Sequence, residues 1–183
     1  MKVSGLDLAA ESYNCSGYAV IDLNTMTLAK AICLYSDEEI MTNILSDQVR
    51  LVSVDSPLSR EPVFRHVDRE AIKRGFRVLP PNFGYMRKLT RRGWRLYERL
   101  STEGIEVIET HPRSALKSSG LNDCFVLAEK LGVSLGIYRR KALGKDLRDA
   151  IVSALVALCY IRGDCLLTVS AEDGKIHLIK PVS

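Results

Sequence analysis

Short apolar runs separated by turns dominate the first third of the chain. Residues 2–9 (Lys-Val-Ser-Gly-Leu-Asp-Leu-Ala) form an apolar run with one carboxylate, Asp7, and predict a buried strand. Residues 17–23 and 26–34 alternate toward a second and a third strand with a turn at Asn24-Thr25, which gives an antiparallel meander. Ser36-Asp37-Glu38-Glu39 reads as a helix start, a capping serine followed by acids in the first turn, and the helix ends near Asp47. Residues 49–55 then predict a fourth strand, ending in Asp55. A helical crossover leads into it, so it can lie parallel to the first.

Beyond Ser56-Pro57-Leu58 the period turns helical. Residues 64–75 and 85–104 predict two Arg-rich helices around a Pro80-Pro81-Asn82-Phe83-Gly84 loop. On the second, Met86, Leu89, Leu96, Tyr97 and Leu100 make an apolar face, while Arg87, Lys88, Arg91, Arg92, Arg95 and Arg99 dominate the other. Residues 105–110 predict a fifth strand carrying Glu109 just before His111-Pro112-Arg113. Residues 114–141 read as two short helices, broken around Ser118-Ser119-Gly120 and Gly132. A helix over 144–162 follows, with an apolar face of Leu147, Ala150, Ile151, Ala154, Leu155 and Leu158; Val152 and Val156 indicate burial on more than one side. The end of the chain predicts a β-hairpin over 164–180 around Glu172-Asp173-Gly174, where His177 has no companion ligand and reads as structural. The expected organisation is a single domain over 1–183, with a helical insertion at 60–103 and the hairpin at 164–180. The class is α/β.

Charge sharpens this picture. The net charge is +4, but residues 60–99 hold twelve Lys or Arg against four acids, which is +8 and leaves −4 for the remainder. A basic surface beside a body with an acidic centre points to an anionic partner, nucleic acid first. The five cysteines are scattered, odd in number and without C-x-x-C spacing, so the expectation is reduced core thiols, with neither a disulfide framework nor a zinc site. No run approaches the ~18 apolar residues of a membrane helix and no secretion-signal pattern opens the chain, so a cytoplasmic location is expected.

The chemistry lies in the acids. Asp7, Asp55 and Glu109 each stand near the carboxyl end of a predicted strand, the edge at which open α/β sheets bind ligands. Asp146 and Asp149, three apart, share a helical face. Separate accounts exist for single members: Asp7 could tip outward to a loop, and Asp146 could cap its helix. Carboxylates converging from strand ends and a helix, however, repel one another unless a divalent cation neutralises them. Two metals about 3.5–4 Å apart would clamp a phosphodiester, with no histidine needed as base.

The sequence resembles domain-of-unknown-function family 429, predicted nucleases of ribonuclease-H fold. The matching residues are Gly5-Leu6-Asp7-Leu8-Ala9, Val54-Asp55-Ser56-Pro57-Leu58-Ser59 with Arg65 and Asp68-Arg69, Glu109-Thr110-His111-Pro112-Arg113, and Asp146-Leu147-Arg148-Asp149-Ala150, spanning roughly 2–162. The resemblance implies a ribonuclease-H-like three-layer α/β/α fold with a mixed five-stranded sheet. It also implies catalytic Asp7, Asp55 and Asp149, with Asp146 auxiliary and Glu109 completing the cluster. Lys145 departs from the pattern, standing where a histidine often precedes the acidic pair.

The leading expectation is a nuclease with Mg2+ or Mn2+ held by Asp7, Asp55, Asp146 and Asp149. Arg60, Arg65, Arg69, Arg87, Lys88, Arg91, Arg92 and Arg95 would position the phosphate backbone, with Phe83, Tyr85 and Trp94 as stacking groups. One alternative is a non-catalytic nucleic-acid-binding protein; another is an ATP-handling relative of the actin and sugar-kinase superfamily, against which Glu11 and the lack of a P-loop count. A homodimer would suit a junction cutter, but the sequence carries no interface motif.

Overall fold

Period-2 alternation in the N-terminal third becomes three paired strands. In a computed structural model describing residues 1–182, β1 (Lys2–Asp7), β2 (Ser16–Asp22) and β3 (Thr27–Leu34) form an antiparallel meander, with Asp7 opposite Gly17. The helix α1 (Asp37–Ser46) starts at a reciprocal cap, the Glu39 amide donating to Ser36 Oγ while the Glu39 carboxylate accepts from the Ser36 amide. It delivers β4 (Val49–Val54) parallel to β1. Two further helices, α2 (His66–Lys73) and α3 (Gly84–Thr102), precede β5 (Glu106–Glu109), which adds in parallel beside β4. The mixed five-stranded sheet therefore runs β3-β2-β1-β4-β5, and β1, β4 and β5 end at one edge.

Helices cover both faces. On one, Leu6, Tyr18, Val20, Val52 and Val54 pack against Ile40 and Ile44 of α1 and Met86, Leu89, Leu96 and Leu100 of α3. The apolar stripe of α3 is thus spent on the sheet, which is why its opposite face is basic. On the other face, Val3, Ala19, Ile21, Leu51 and Ile108 meet α6 (Lys145–Arg162), backed by α4 (Pro112–Ser118) and α5 (Cys124–Lys130). Ten consecutive residues of α6, Ala150 to Cys159, are buried because the helix lies between the sheet and those outer helices.

Two glycines set the distance between α6 and the sheet. A methyl built on Gly5 would overlap the Ala150 carbonyl oxygen and the Ala154 amide nitrogen. One built on Gly17 would overlap the Asp146 carbonyl. The helix backbone therefore rests directly on β1 and β2, a closer approach than any side chain allows.

The C-terminal hairpin, β6 (Leu166–Ala171) and β7 (Gly174–Ile179), forms as expected and packs onto the body. Its turn residue Asp173 caps α2, accepting from the Val67 amide at 3.0 Å and from the His66 amide. His177 is buried, with Nδ1 3.1 Å from Thr168 Oγ1, and its carbonyl accepts from Thr110 Oγ1 at 2.7 Å.

The cysteines correct an expectation. Cys15 pairs with Cys33 and Cys159 with Cys165 as disulfides, leaving only buried Cys124 free. Tertiary register brings the partners together: Cys33 lies opposite Gly17, two residues beyond Cys15, and Cys165 follows the reversal at the end of α6. Disulfides persist mainly in oxidising compartments and in intracellular proteins of hyperthermophiles, so the cysteines no longer favour a cytoplasmic location. Among the described residues no helix is long and apolar enough to cross a membrane.

Either Gly5→Ala or Gly17→Ala should lower stability by about 2–3 kcal/mol, since the helix backbone must retreat. Urea midpoints measure this. An unchanged midpoint in both would mean that α6 does not sit on these glycines.

Candidate active site

Four acids meet at the edge where β1 and β4 end. The Asp55 amide donates to the Leu6 carbonyl at 2.8 Å, so Asp7 and Asp55 leave adjacent strands side by side. Asp7 lies opposite Gly17, and the Asp146 carbonyl occupies the space that a Gly17 side chain would take. The first turns of α6, with Asp146 and Asp149, are thereby set beside the strand-end acids.

The electrostatics bear the signature of this crowding. Burial, then the carboxylates of Asp55 and Asp149 and more weakly Asp146, push the pKa of Asp7 up to about 8, with Lys145 opposing. Asp55 is likewise raised, to about 6, by burial and by Asp149 and Glu109, with His111 and Lys145 as counterweights. Lys145 Nζ stands 3.2 Å from Asp149. Lys145 is thus the local counter-charge.

Glu109 is the first correction. Burial would raise its pKa, but the bonded Arg65 and the nearby His111 outweigh that and hold it down at about 2. Arg65, 2% exposed, donates to Glu109 Oε2 at 2.7 Å and Oε1 at 2.6 Å, and to Asp68 at 2.7 and 3.1 Å. The Leu58 amide also donates to Glu109 Oε2 at 2.8 Å. Both Glu109 oxygens are engaged, so it anchors the loop after β4 instead of facing a substrate. His111 Nε2 lies 3.6 Å from Glu109; burial opposes its charging, but Glu109, Asp55 and Asp68 raise its pKa. Its role went unassigned in the sequence, where adjacency to Glu109 was the only available signal.

Arg65 is therefore no phosphate ligand, and neither is Arg92. Arg92, 3% exposed, bonds Asp37 Oδ1, the Ala9 carbonyl and the Tyr35 carbonyl at 2.6–2.7 Å. Helical periodicity placed it on the basic face; the loops following β1 and β3 close over it. The remaining cations are exposed. Arg60 follows the Ser56–Ser59 turn, and Arg69 lies over the Phe64 ring at 5.6 Å. Arg87, Lys88, Arg91 and Arg95 are exposed on α3, with Lys88 paired to Glu11. Trp94 is half-buried against Tyr97, with ring centroids 5.0 Å apart, whereas Phe83 and Tyr85 are exposed.

The height of α3 matters. Arg92 touches Ala9 and Tyr35, and Gly93 packs on Ser56, so these residues mark the level of the acid edge. Met86 and Leu89, on the turns before that level, are still buried in the cluster with Leu6 and Val54. Tyr85, Arg87, Lys88 and Arg91 are exposed on these first turns, whereas Arg95 lies beyond that level toward the C-terminal end of the helix.

Hard carboxylate oxygens fit Mg2+ or Mn2+, and the raised pKa of Asp7 reflects a local excess of negative charge. Among the described residues, however, no three His, Cys, Asp or Glu side chains form a ready metal-binding group. The donor chemistry fits such a cation; a complete protein cage is not in place. Comparison with protein-family models, curated proteins and solved structures returned no match.

The raised pKa makes Asp7 a pH-dependent liability. A protonated Asp7 favours the folded state fully below its ordinary value of 3.8, and that contribution is lost as pH rises through about 8. In chelator, Asp7→Asn should therefore gain on the wild type with rising pH, by up to about 5 kcal/mol at pH 8. Parallel pH profiles of the urea midpoints would show that Asp7 ionises freely. Arg65→Met, which strands Glu109 and Asp68, should lose about 3–5 kcal/mol in the same assay; a loss below 1 kcal/mol would mean that the pair is dispensable.

Proposed function

We propose that the acid edge hydrolyses phosphodiester bonds of nucleic acid with Mg2+ or Mn2+, on a ribonuclease-H-like fold of the kind that family 429 implies. The observation that carries the reading is the juxtaposition of Asp7, Asp55 and Asp149 at the edge where β1 and β4 end. Asp7 and Asp55 would hold the metal, with Asp149 and Asp146 flanking it. Mg2+ ordinarily takes one or two carboxylates and completes its shell with waters and substrate phosphate, so a protein cage of three donors is not required. When bound, the metal supplies an activated water and neutralises charge on the phosphate.

The chain's own groups do the positioning. Arg87, Lys88 and Arg91 on the first turns of α3 and Arg60 beside the post-β4 turn draw the phosphate backbone toward the edge. Lys145 holds Asp149 in place, and the Arg65–Glu109 pair fixes the turn after Asp55. A second reading, nucleic-acid binding without catalysis, is favoured by one observation: the acids stand without a ready three-donor group, and one of them is already paired with Lys145.

Labelled single-stranded, duplex, hybrid and branched substrates with Mg2+ or Mn2+ separate the two. Cleavage that requires the metal and falls about a hundredfold or more in Asp7→Asn or Asp55→Asn supports hydrolysis. Unchanged cleavage in both variants would overturn the site, and binding without cleavage would leave the binding platform.

A further inference from the structure

Beside the acid edge is a hollow of about 500 Å3, within the usual range of small-ligand sites, between α4, the start of α5 and the first turns of α6. Its two sides differ in chemistry. Leu116, Leu143 and Val152 give it an apolar floor, while Arg113, Lys145 and Arg148 stand around it, with Asp149 at the border with the acid edge.

The charges do not cancel. The carboxylate of Asp123, which also lines the hollow, is committed to capping α5, accepting from the amides of Phe125 at 2.8 Å and Val126 at 3.0 Å. Asp149 is paired with Lys145. Arg148 uses Nε on the Leu143 carbonyl at 3.0 Å, and Arg113 makes no ion pair or hydrogen bond among the described residues. Arg113 is close enough to Lys145 to disfavour its charge. Gly144 caps α6 at the same wall without any side-chain acceptor. Surplus cations over an apolar floor suit a ligand that is anionic at one end and flat and apolar at the other. A bare anion would leave the floor wet, and a bare ring would leave the guanidinium groups unmatched.

We infer that this hollow is a nucleotide subsite, taking the base over Leu116, Leu143 and Val152 and the phosphate between Arg113 and Arg148. As part of a reaction the inference rests on the phosphodiesterase reading of the adjoining edge. A base seated there cannot be paired, so the substrate class it selects is nucleic acid with an unpaired nucleotide beside the cut.

The test needs neither metal nor cleavage. With the wild-type protein in chelator, calorimetric titration compares a nucleoside 5′-monophosphate, the same nucleoside, inorganic phosphate and a 5′-phosphorylated trinucleotide. The monophosphate should bind about tenfold or more tighter than nucleoside or phosphate alone. Arg113→Ala should weaken it about three- to tenfold with an unchanged urea midpoint, because Arg113 is exposed. A trinucleotide that binds tighter still identifies a strand as the natural occupant, and equal affinity identifies a free nucleotide. Phosphate binding as tightly as the monophosphate, an affinity indifferent to Arg113→Ala, or no binding would each overturn the inference. A protein that binds the monophosphate but never cuts keeps the subsite and loses the hydrolytic reading.

Discussion

The backbone of α6 lies directly on two strands, and the rest of the molecule is arranged around that contact. Gly5 and Gly17 face the helix, and the carbonyls of Ala150 and Asp146 fill the space their side chains would take. Because a helix is rigid over its length, fixing it at these points also fixes where its first turn emerges. That turn carries Asp146 and Asp149 and arrives beside Asp7, the partner of Gly17 across β2. The same approach lets a mostly aliphatic helix be enclosed on all sides, so Val152 and Val156 are as buried as Ala150 and Ile151. Packing and site geometry are one constraint.

Two classes of buried carboxylate follow. Glu109 and Asp68 share a guanidinium, and Glu109 stays ionised because its oxygens are fully bonded. Asp7 and Asp55 lack such a partner and face other acids, which shifts both toward the protonated form. Compensated charges stabilise a loop; uncompensated ones store a demand for a cation or a proton. Natural sites that bind cations carry this kind of local instability in exchange for function.

The frame was legible in the sequence wherever one local rule decided the outcome. An apolar run marked β1, alternation marked β2 and β3, the Ser36-to-Glu39 cap marked α1, and the Asp173-Gly174 turn marked the hairpin. What could not be read depended on partners distant in sequence. Glu109 and Asp55 look alike as strand-end acids, and they differ because Arg65, 44 residues from Glu109, reaches only one of them. Arg92 fits the basic stripe of its helix, yet the carbonyls of Ala9 and Tyr35 in the loops after β1 and β3 and the carboxylate of Asp37 at the start of α1 surround it. The disulfides followed strand register and a chain reversal, which a spacing rule cannot see. Gly5 stood only as the opening residue of a family match, and Gly17 carried no motif beyond its position in a strand.

These partners also change what the charge count means. The surplus of +8 over residues 60–99 suggested a uniformly basic surface, but Arg65 and Arg92 are consumed inside, neutralising Glu109, Asp68 and Asp37. Those ion pairs give α2 and α3 their purchase on the body, so part of the basic character is structural cement. The cations that remain outside are spread over α2, α3 and the connection between them, with Arg87, Lys88 and Arg91 on the first turns of α3, and a second group, Arg113 and Arg148, stands around the hollow beside the acid edge. The proposed function has a phosphate chain cross from one group to the other over Asp7 and Asp55. On the proposed reading, attraction on both flanks and repulsion at the centre hold the strand in register while leaving room for a cation between acid and phosphate, which neither flank could arrange alone.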